Sequence, residues 1–206
     1  MQANIISNLR YILQFSTIVL TIILGPQLFA QENKFSQAVE LVQEKQFTQA
    51  YKIFMELAET QDPDAQYNVA ILLRRGLGHP TNYMLALKWS WLAQLGGVYK
   101  AKKLSQSLIE LIPEEKVETV KKKVKEVLEA RLENKDSEVI LQFADYYINI
   151  ATEPDYKSAY ALRSLAAALG IKNASRLRNA LEEELEPEDL ISSQSQAQEM
   201  FKKFVD

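Results

Sequence analysis

The sequence of 206 residues has no cysteine, one histidine, six glycines and six prolines. Without cysteine there is no disulfide framework, no thiol nucleophile and no thiolate metal site. A lone His79 cannot build the multi-histidine clusters of zinc sites, and it leaves little room for histidine-based acid–base chemistry. Excess positive charge is missing too: 24 Lys and Arg stand against 27 Asp and Glu, a net charge of −3. A general nucleic-acid binder needs the opposite balance, so no nucleic acid is expected as a partner. Glycine and proline together make 12 of 206 residues, about half the usual share. Chains so thinly punctuated are helical rather than built from many short strands.

What is present begins with an apolar leader. Arg10 is the only charged residue before Glu32, and Tyr11 to Ala30 carries no charge. The densest apolar part, Ile18 to Leu24, runs into Gly25-Pro26, which ends a helix. Ala30 then offers a small residue before the polar Gln31-Glu32-Asn33. A basic end, an apolar middle, a breaker and a small residue follow the order of a secretory signal peptide over residues 1–30, cleaved between Ala30 and Gln31. The alternative is an uncleaved anchor, since residues 11–30 could just span a bilayer. Cleavage leaves 206 − 30 = 176 residues and, with Arg10 gone, a net charge of −4. The expected location is therefore periplasmic or secreted, with membrane attachment only through an uncleaved leader.

From Phe35 onward apolar residues recur every three or four positions, and no stretch alternates as a strand would. Thr48–Thr60 turns Ala50, Ile53, Phe54, Leu57 and Ala58 inward. Asn82–Gly96 does the same with Ala86, Trp89, Leu92 and Ala93. Pro63, Pro113 and Pro187 each precede acidic residues, the pattern of a helix start. About ten helices of a dozen residues are expected. Punctuation recurs at one offset: Pro80 and Pro154, Gly96 and Gly170, and Pro113 and Pro187 are each 74 apart. Val69-Ala70 pairs with Phe143-Ala144, and Leu92-Ala93 with Ala166-Ala167, at that offset. Half the distance also appears, in Ala50/Ala86 and Ala65/Ala101, 36 apart. A step near 36 residues marks one helical hairpin, and stacked hairpins share one continuous core.

The stretch from Asp64 to Leu104 resembles a Sel-one-like repeat, a hairpin related to the tetratricopeptide family. Ala65, Val69-Ala70, Gly76-x-Gly78, Asn82, Ala86, Trp89, Leu92-Ala93, Gly96 and Ala101 fill that pattern. A degenerate copy runs from Glu138 to Leu181, keeping Phe143-Ala144, Ala166-Ala167, Gly170 and Ala174. In it Ile150 and Thr152 replace both turn glycines, so a longer loop is expected around Thr152-Glu153-Pro154. Ala50 to Ala65 matches only the later half of the pattern. The resemblance implies an all-α protein, an α/α solenoid of stacked helical hairpins like a tetratricopeptide superhelix. The expected organisation is an N-terminal hairpin over residues 31–62, repeat unit one over 63–136 with its best match at 65–101, and unit two over 137–206 ending in a capping helix.

Candidate sites are few. Trp89 lies on the core stripe of its helix, and Trp91, about 200 degrees around, is expected to be partly exposed. His79 reads as a solvated turn residue. Lys121-Lys122-Lys123 and Lys125 form the wet side of a helix whose other face is Val117, Val120, Val124, Val127 and Leu128. Glu182-Glu183-Glu184 reads likewise. Asn173-Ala174-Ser175 matches a glycosylation acceptor, but Ala174 belongs to the core pattern. No Ser/His/Asp group, phosphate loop or catalytic carboxylate pair can be placed, and no metal or cofactor is implied. The family resemblance implies a non-enzymatic scaffold of the bacterial envelope that holds a protein or peptide in its groove. First-helix side chains not needed for packing would line it: Asn68 and Arg75 in unit one, Gln142, Asp145 and Asn149 in unit two. The alternative is a peptidoglycan-associated module that binds or assists cell-wall enzymes. Ala197, Met200, Phe201, Phe204 and Val205 form an apolar stripe on the last helix, which caps the array or else pairs two copies as a homodimer.

Overall fold

The computed structural model describes residues 32–206, and no strand occurs among them. The leader and the Ala30–Gln31 junction lie outside the described residues. Helix α1 covers residues 32–43. It is followed by α2 (Phe47–Glu59), α3 (Pro63–Arg75), α4 (Tyr83–Leu95), α5 (Tyr99–Ile109) and α6 (Glu114–Glu133). Then come α7 (Val139–Asn149), α8 (Tyr156–Ala168), α9 (Ala174–Glu182) and α10 (Pro187–Val205).

Local chemistry sets these boundaries. At α3 the Asp62 side chain accepts from the Ala65 amide at 2.9 Å, Pro63 takes the first turn and Gly76 ends the helix in the left-handed region. Each of these features satisfies or removes an amide or carbonyl that the helix itself cannot bond. Asn82 caps α4 through the Leu85 amide at 2.9 Å, and Asp155 caps α8 through the Ser158 amide at 3.0 Å.

Neighbours in sequence pack as neighbours in space. Helix α3 lies on α2 and α4, α4 on α5 and α6, α6 on α7, α7 on α8, and α8 on both α9 and α10. Helix α1 meets α2 through the Phe35 and Phe54 rings, whose centroids are 5.4 Å apart. This is the expected all-α solenoid of stacked hairpins. Helices α4 and α8 are its axis. Ala86, Leu87, Trp89, Ser90, Trp91, Leu92, Ala93 and Leu95 of α4 are all buried, as are Ala159 to Arg163, Leu165 and Ala166 of α8. Trp91, expected to be partly exposed, is only 4% exposed. The reason is that α3, α5, α6 and α7 all press on α4 and cover most of its circumference. Trp89 is buried with its Nε1 unpaired among the described residues. That omission costs about 1–3 kcal/mol, which burying a side chain of this size offsets.

The repeat differs by one residue from the punctuation. Gln61 and Lys135 both adopt positive φ, 70° and 60°, and each precedes an aspartate that accepts a backbone amide: Asp62 that of Ala65 as the cap of α3, Asp136 that of Glu138 in the turn before α7. Those pairs are 74 apart. The next turns agree as well: Leu77 donates to the Leu72 carbonyl, and Ala151 to Tyr146. Beyond them the spacing becomes 73. Asn82 donates to Leu73 and Asp155 to Tyr147, both at 3.1 Å. Gly97 (φ 96°), not Gly96, is the counterpart of Gly170 (φ 74°). Leu92-Ala93 therefore matches Leu165-Ala166. Pro113 precedes its helix whereas Pro187 opens its own. The loop expected to lengthen around Thr152 is shorter instead, six residues (150–155) against seven (76–82).

His79, read as a solvated turn residue, packs on the Tyr51 ring with centroids 5.1 Å apart. The same turn passes so near α2 that a Cβ on Gly78 would collide with the Phe47 carbonyl. A Cβ on Gly97 would meet nothing within 4 Å. Both glycines have positive φ, so Gly78→Ala adds a backbone collision to a strain that Gly97→Ala bears alone. Gly97→Ala is expected to lower stability by about 1–2 kcal/mol and Gly78→Ala by clearly more, read by urea unfolding. Equal losses would contradict the close approach.

Helices α6 and α7 meet through an aromatic cluster. Phe143 and Tyr147 stack at 5.0 Å, Tyr146 meets Tyr147 edge-on at 5.6 Å, and the Tyr146 hydroxyl donates to the Lys121 carbonyl at 3.2 Å. Burial pushes the Tyr146 phenol up to about 12, with the neighbouring Tyr147 and the Glu118 and Glu129 carboxylates adding to the rise. Tyr147 and Tyr51 are also raised, first by burial. A phenol whose folded pKa is raised stabilises the protein fully below its unfolded value near 10. That contribution disappears as pH climbs toward the folded value. Unfolding free energy is therefore expected to fall between pH 10 and 12, and less steeply in Tyr146→Phe. Identical slopes in the two proteins would contradict the assignment.

Candidate functional site

Helices α3 and α5 both pack on α4, and a groove of about 860 Å³ runs between their outer sides. Two buried hydroxyls fix α5 against α4. Ser90 Oγ donates to the Ala101 carbonyl at 2.9 Å, and Ser105 Oγ to Gln94 Oε1 at 3.1 Å. From α3 the groove receives Tyr67, Ile71, Arg74 and Arg75. From α5 it receives Tyr99, Lys100, Lys102, Lys103 and Leu104 among others. Tyr67, Ile71 and Leu104 also belong to the core packing and give the groove an apolar bed. The five cations are exposed, none of the lining residues is acidic, and none of the five forms an ion pair among the described residues. Tyr99 stands free at the rim, 88% exposed.

The sequence-derived candidates divide between two environments. Arg75 lies in this groove. Asn68 sits on the same helix, where its amide donates to the Asp64 carbonyl at 2.8 Å. On α7 the other three share one face, but internal bonds already occupy them. Gln142 Oε1 accepts from Arg131 Nη1 at 2.8 Å, and Arg131 also pairs with Asp136 at 2.7 Å. Asp145 pairs with Arg163 at 3.1 Å, and Asn149 donates to the Asp145 carbonyl at 3.1 Å. Arg163 is itself buried and also donates to the Leu177 carbonyl at 2.9 Å, so it ties α7, α8 and α9 together. It occupies the position of Ser90, 73 residues earlier, which bonds a carbonyl of α5 in the same way.

Sequence reading missed Arg74, Tyr99, Lys100, Lys102 and Lys103. The denser basic run in the sequence is Lys121 to Lys125. There Lys121 pairs with Glu118 at 2.7 Å, and Lys125 pairs with Glu129 at 3.5 Å and covers the Tyr147 ring. The missed signal was comparative. At the offsets of 74 and 73, Arg74 and Arg75 align with Ile148 and Asn149, and Lys100 and Lys102 with Asn173 and Ser175. Only Lys103 keeps a cation opposite it, Arg176.

Other features are less developed. A smaller cavity of about 460 Å³ between α8, α9 and α10 is lined by Tyr160, Arg178, Ala197 and Phe201 among others. Of the last helix's apolar stripe, Ala197 is buried, Met200 and Phe204 pack partly on the core, and Phe201 and Val205 stay exposed. Burial first of all lowers the Lys88 ammonium, with nearby Lys123 adding to the effect. Among the described residues no group of three His, Asp or Glu could hold a metal ion, and no helix is long and apolar enough to cross a membrane.

No protein-family model and no curated protein matches the sequence. Among solved structures the chain is similar to a protective antigen present in uropathogenic Escherichia coli strains and displaying an SLR fold. That likeness has a TM-score of 0.38 and 17% sequence identity over 76% of this chain. The chain spans 41% of the length of that antigen chain.

Proposed function

We propose that this protein is a non-enzymatic scaffold of the bacterial cell envelope, whose stacked hairpins hold a protein or peptide partner in a groove between helices. One observation carries the reading: five long cationic side chains in the α3/α5 groove, Arg74, Arg75, Lys100, Lys102 and Lys103, are exposed and take no part in the packing of the array. A repeat array stacks its hairpins through their apolar faces and leaves the outward side chains of successive helices free to vary. The envelope location rests on the order of basic, apolar, breaker and small residues before Gln31. The resemblance of residues 64–104 to Sel-one-like repeats points the same way, toward binding rather than catalysis.

The reading has two tests. Charge reversal at Arg75 combined with Asn68→Ala should weaken recovery of the partner from an envelope fraction by several-fold without lowering the melting temperature. Unchanged recovery removes these two residues from partner binding. Expressed at full length in a bacterium with a periplasm, the protein should carry Gln31 as its first residue on N-terminal sequencing. Retention of Met1 in the membrane fraction would instead support the anchor.

A further inference from the structure

We infer that the groove between α3 and α5 takes an acidic peptide segment of a partner protein, about ten residues long and carrying at least one apolar side chain; this rests on the scaffold reading above. Arg74 and Arg75 line one side and Lys100, Lys102 and Lys103 the other, with no acid in the lining. Five like charges around one groove repel one another, and nothing among the described residues neutralises them by an ion pair. An arrangement that costs the folded chain self-repulsion becomes favourable when an anion fills it.

The fold itself does not require these charges. The second unit builds the same helix pair, α7 and α9, with Ile148, Asn149, Asn173 and Ser175 at the equivalent positions. It closes the same turns, Ala151 onto Tyr146 and Ile171 onto Ala166, as Leu77 closes onto Leu72 and Val98 onto Ala93. One architecture thus occurs with Arg74, Arg75, Lys100 and Lys102 and with four uncharged residues in their places, while Arg176 stands opposite Lys103 and Lys172 opposite Tyr99, so those four cations serve something other than packing. Carboxylates on a peptide are the complementary chemistry, and the two arginines can grip them in bidentate fashion.

The bed of the groove separates a peptide from other polyanions. Tyr67, Ile71 and Leu104 lie between the cations, and Tyr99 stands at the rim. A polyphosphate or a nucleic-acid backbone offers charge but nothing apolar to cover such a bed. A peptide with alternating acidic and apolar side chains offers both. Helix α3, 13 residues long, extends about 20 Å at 1.5 Å per residue. A strand of six or seven residues covers that length, and flanking residues reach the rim.

The probes are a fluorescent dodecapeptide alternating Glu or Asp with Leu and Phe, its Gln/Asn analogue, and polyphosphate of equal charge. Binding to the full chain is measured by anisotropy and calorimetry at 50 and 300 mM salt. The acidic peptide should bind at least tenfold more tightly than both the neutral analogue and polyphosphate, and more weakly at the higher salt. The variant Arg74→Ile, Arg75→Asn, Lys100→Asn, Lys102→Ser borrows residues that the second unit already uses. It should lose at least tenfold in affinity at an unchanged or higher melting temperature. Tyr67→Ala or Tyr99→Ala should weaken the acidic peptide several-fold and leave polyphosphate unaffected. Equal binding of the neutral peptide, equal or tighter binding of polyphosphate, or retained affinity in the four-substituted variant would each overturn the inference. Should that variant still recover the wild-type protein's envelope partner, the groove assignment fails while the scaffold reading stands. Should the wild-type protein recover no partner, the scaffold reading itself fails.

Discussion

Two helices buried along most of their length organise this molecule. Around α4 stand α3, α5, α6 and α7, and α8 is enclosed by α7, α9 and α10. Ala86, Ala93, Ala159 and Ala166 are completely buried, and such small side chains let neighbouring helices come close. Outward polar positions are few, Lys88 on α4 and Lys157 on α8 among them, so each helix depends on its neighbours to cover the rest of its surface. The wrapping helices inherit the opposite problem. They bury one side against α4 or α8 and keep another in water, and between two of them, α3 and α5, lies the cationic groove. The site is thus a consequence of enclosure: the outer helices have side chains to spare because the inner ones use most of theirs in packing.

The order of the helices could be read from the sequence because burial leaves a periodic trace. Alanines and large apolar residues three or four apart mark inward faces, and Asp62, Asn82 and Asp155 mark beginnings by bonding amides that no helix can satisfy alone. The register was harder to read. Punctuation suggested one offset of 74, whereas the 150–155 turn is one residue shorter than the 76–82 turn and shifts everything after it to 73. Proline could not reveal the shift. It is tolerated just before a helix and at its first position alike, since neither amide is needed there. The left-handed turns at Gln61 and Lys135 left no trace either, because residues with side chains are held there by the closing bonds of the turn and not by any preference of their own.

Of the groove, sequence showed Arg75 but not its neighbours. Knowing that a side chain points outward does not say which helix it faces across open space. That α3 and α5 flank the same groove follows from both resting on α4, a tertiary fact. The same gap affected unit two. Gln142, Asp145 and Asn149 fall on one face of α7, but Arg131 and Arg163 reach them from α6 and α8. Buried Arg163 brings a charge into the core, where only its partners make it tolerable. At the equivalent place unit one uses the small, neutral Ser90 for a similar bond, so the two units solve one junction with different chemistry.

If enclosure of α4 and α8 underlies the rest, the resistance of backbone amides to opening must be unequal along the chain. Native-state hydrogen exchange resolves this helix by helix. Amides of residues 86–95 and 159–166 should exchange last, near the limit set by global unfolding. Those of α5, α9 and the outer half of α10 should open earlier and at lower cost. Protection in α5 or α10 equal to or above that of α4 and α8 would contradict it, and would move the organising core elsewhere.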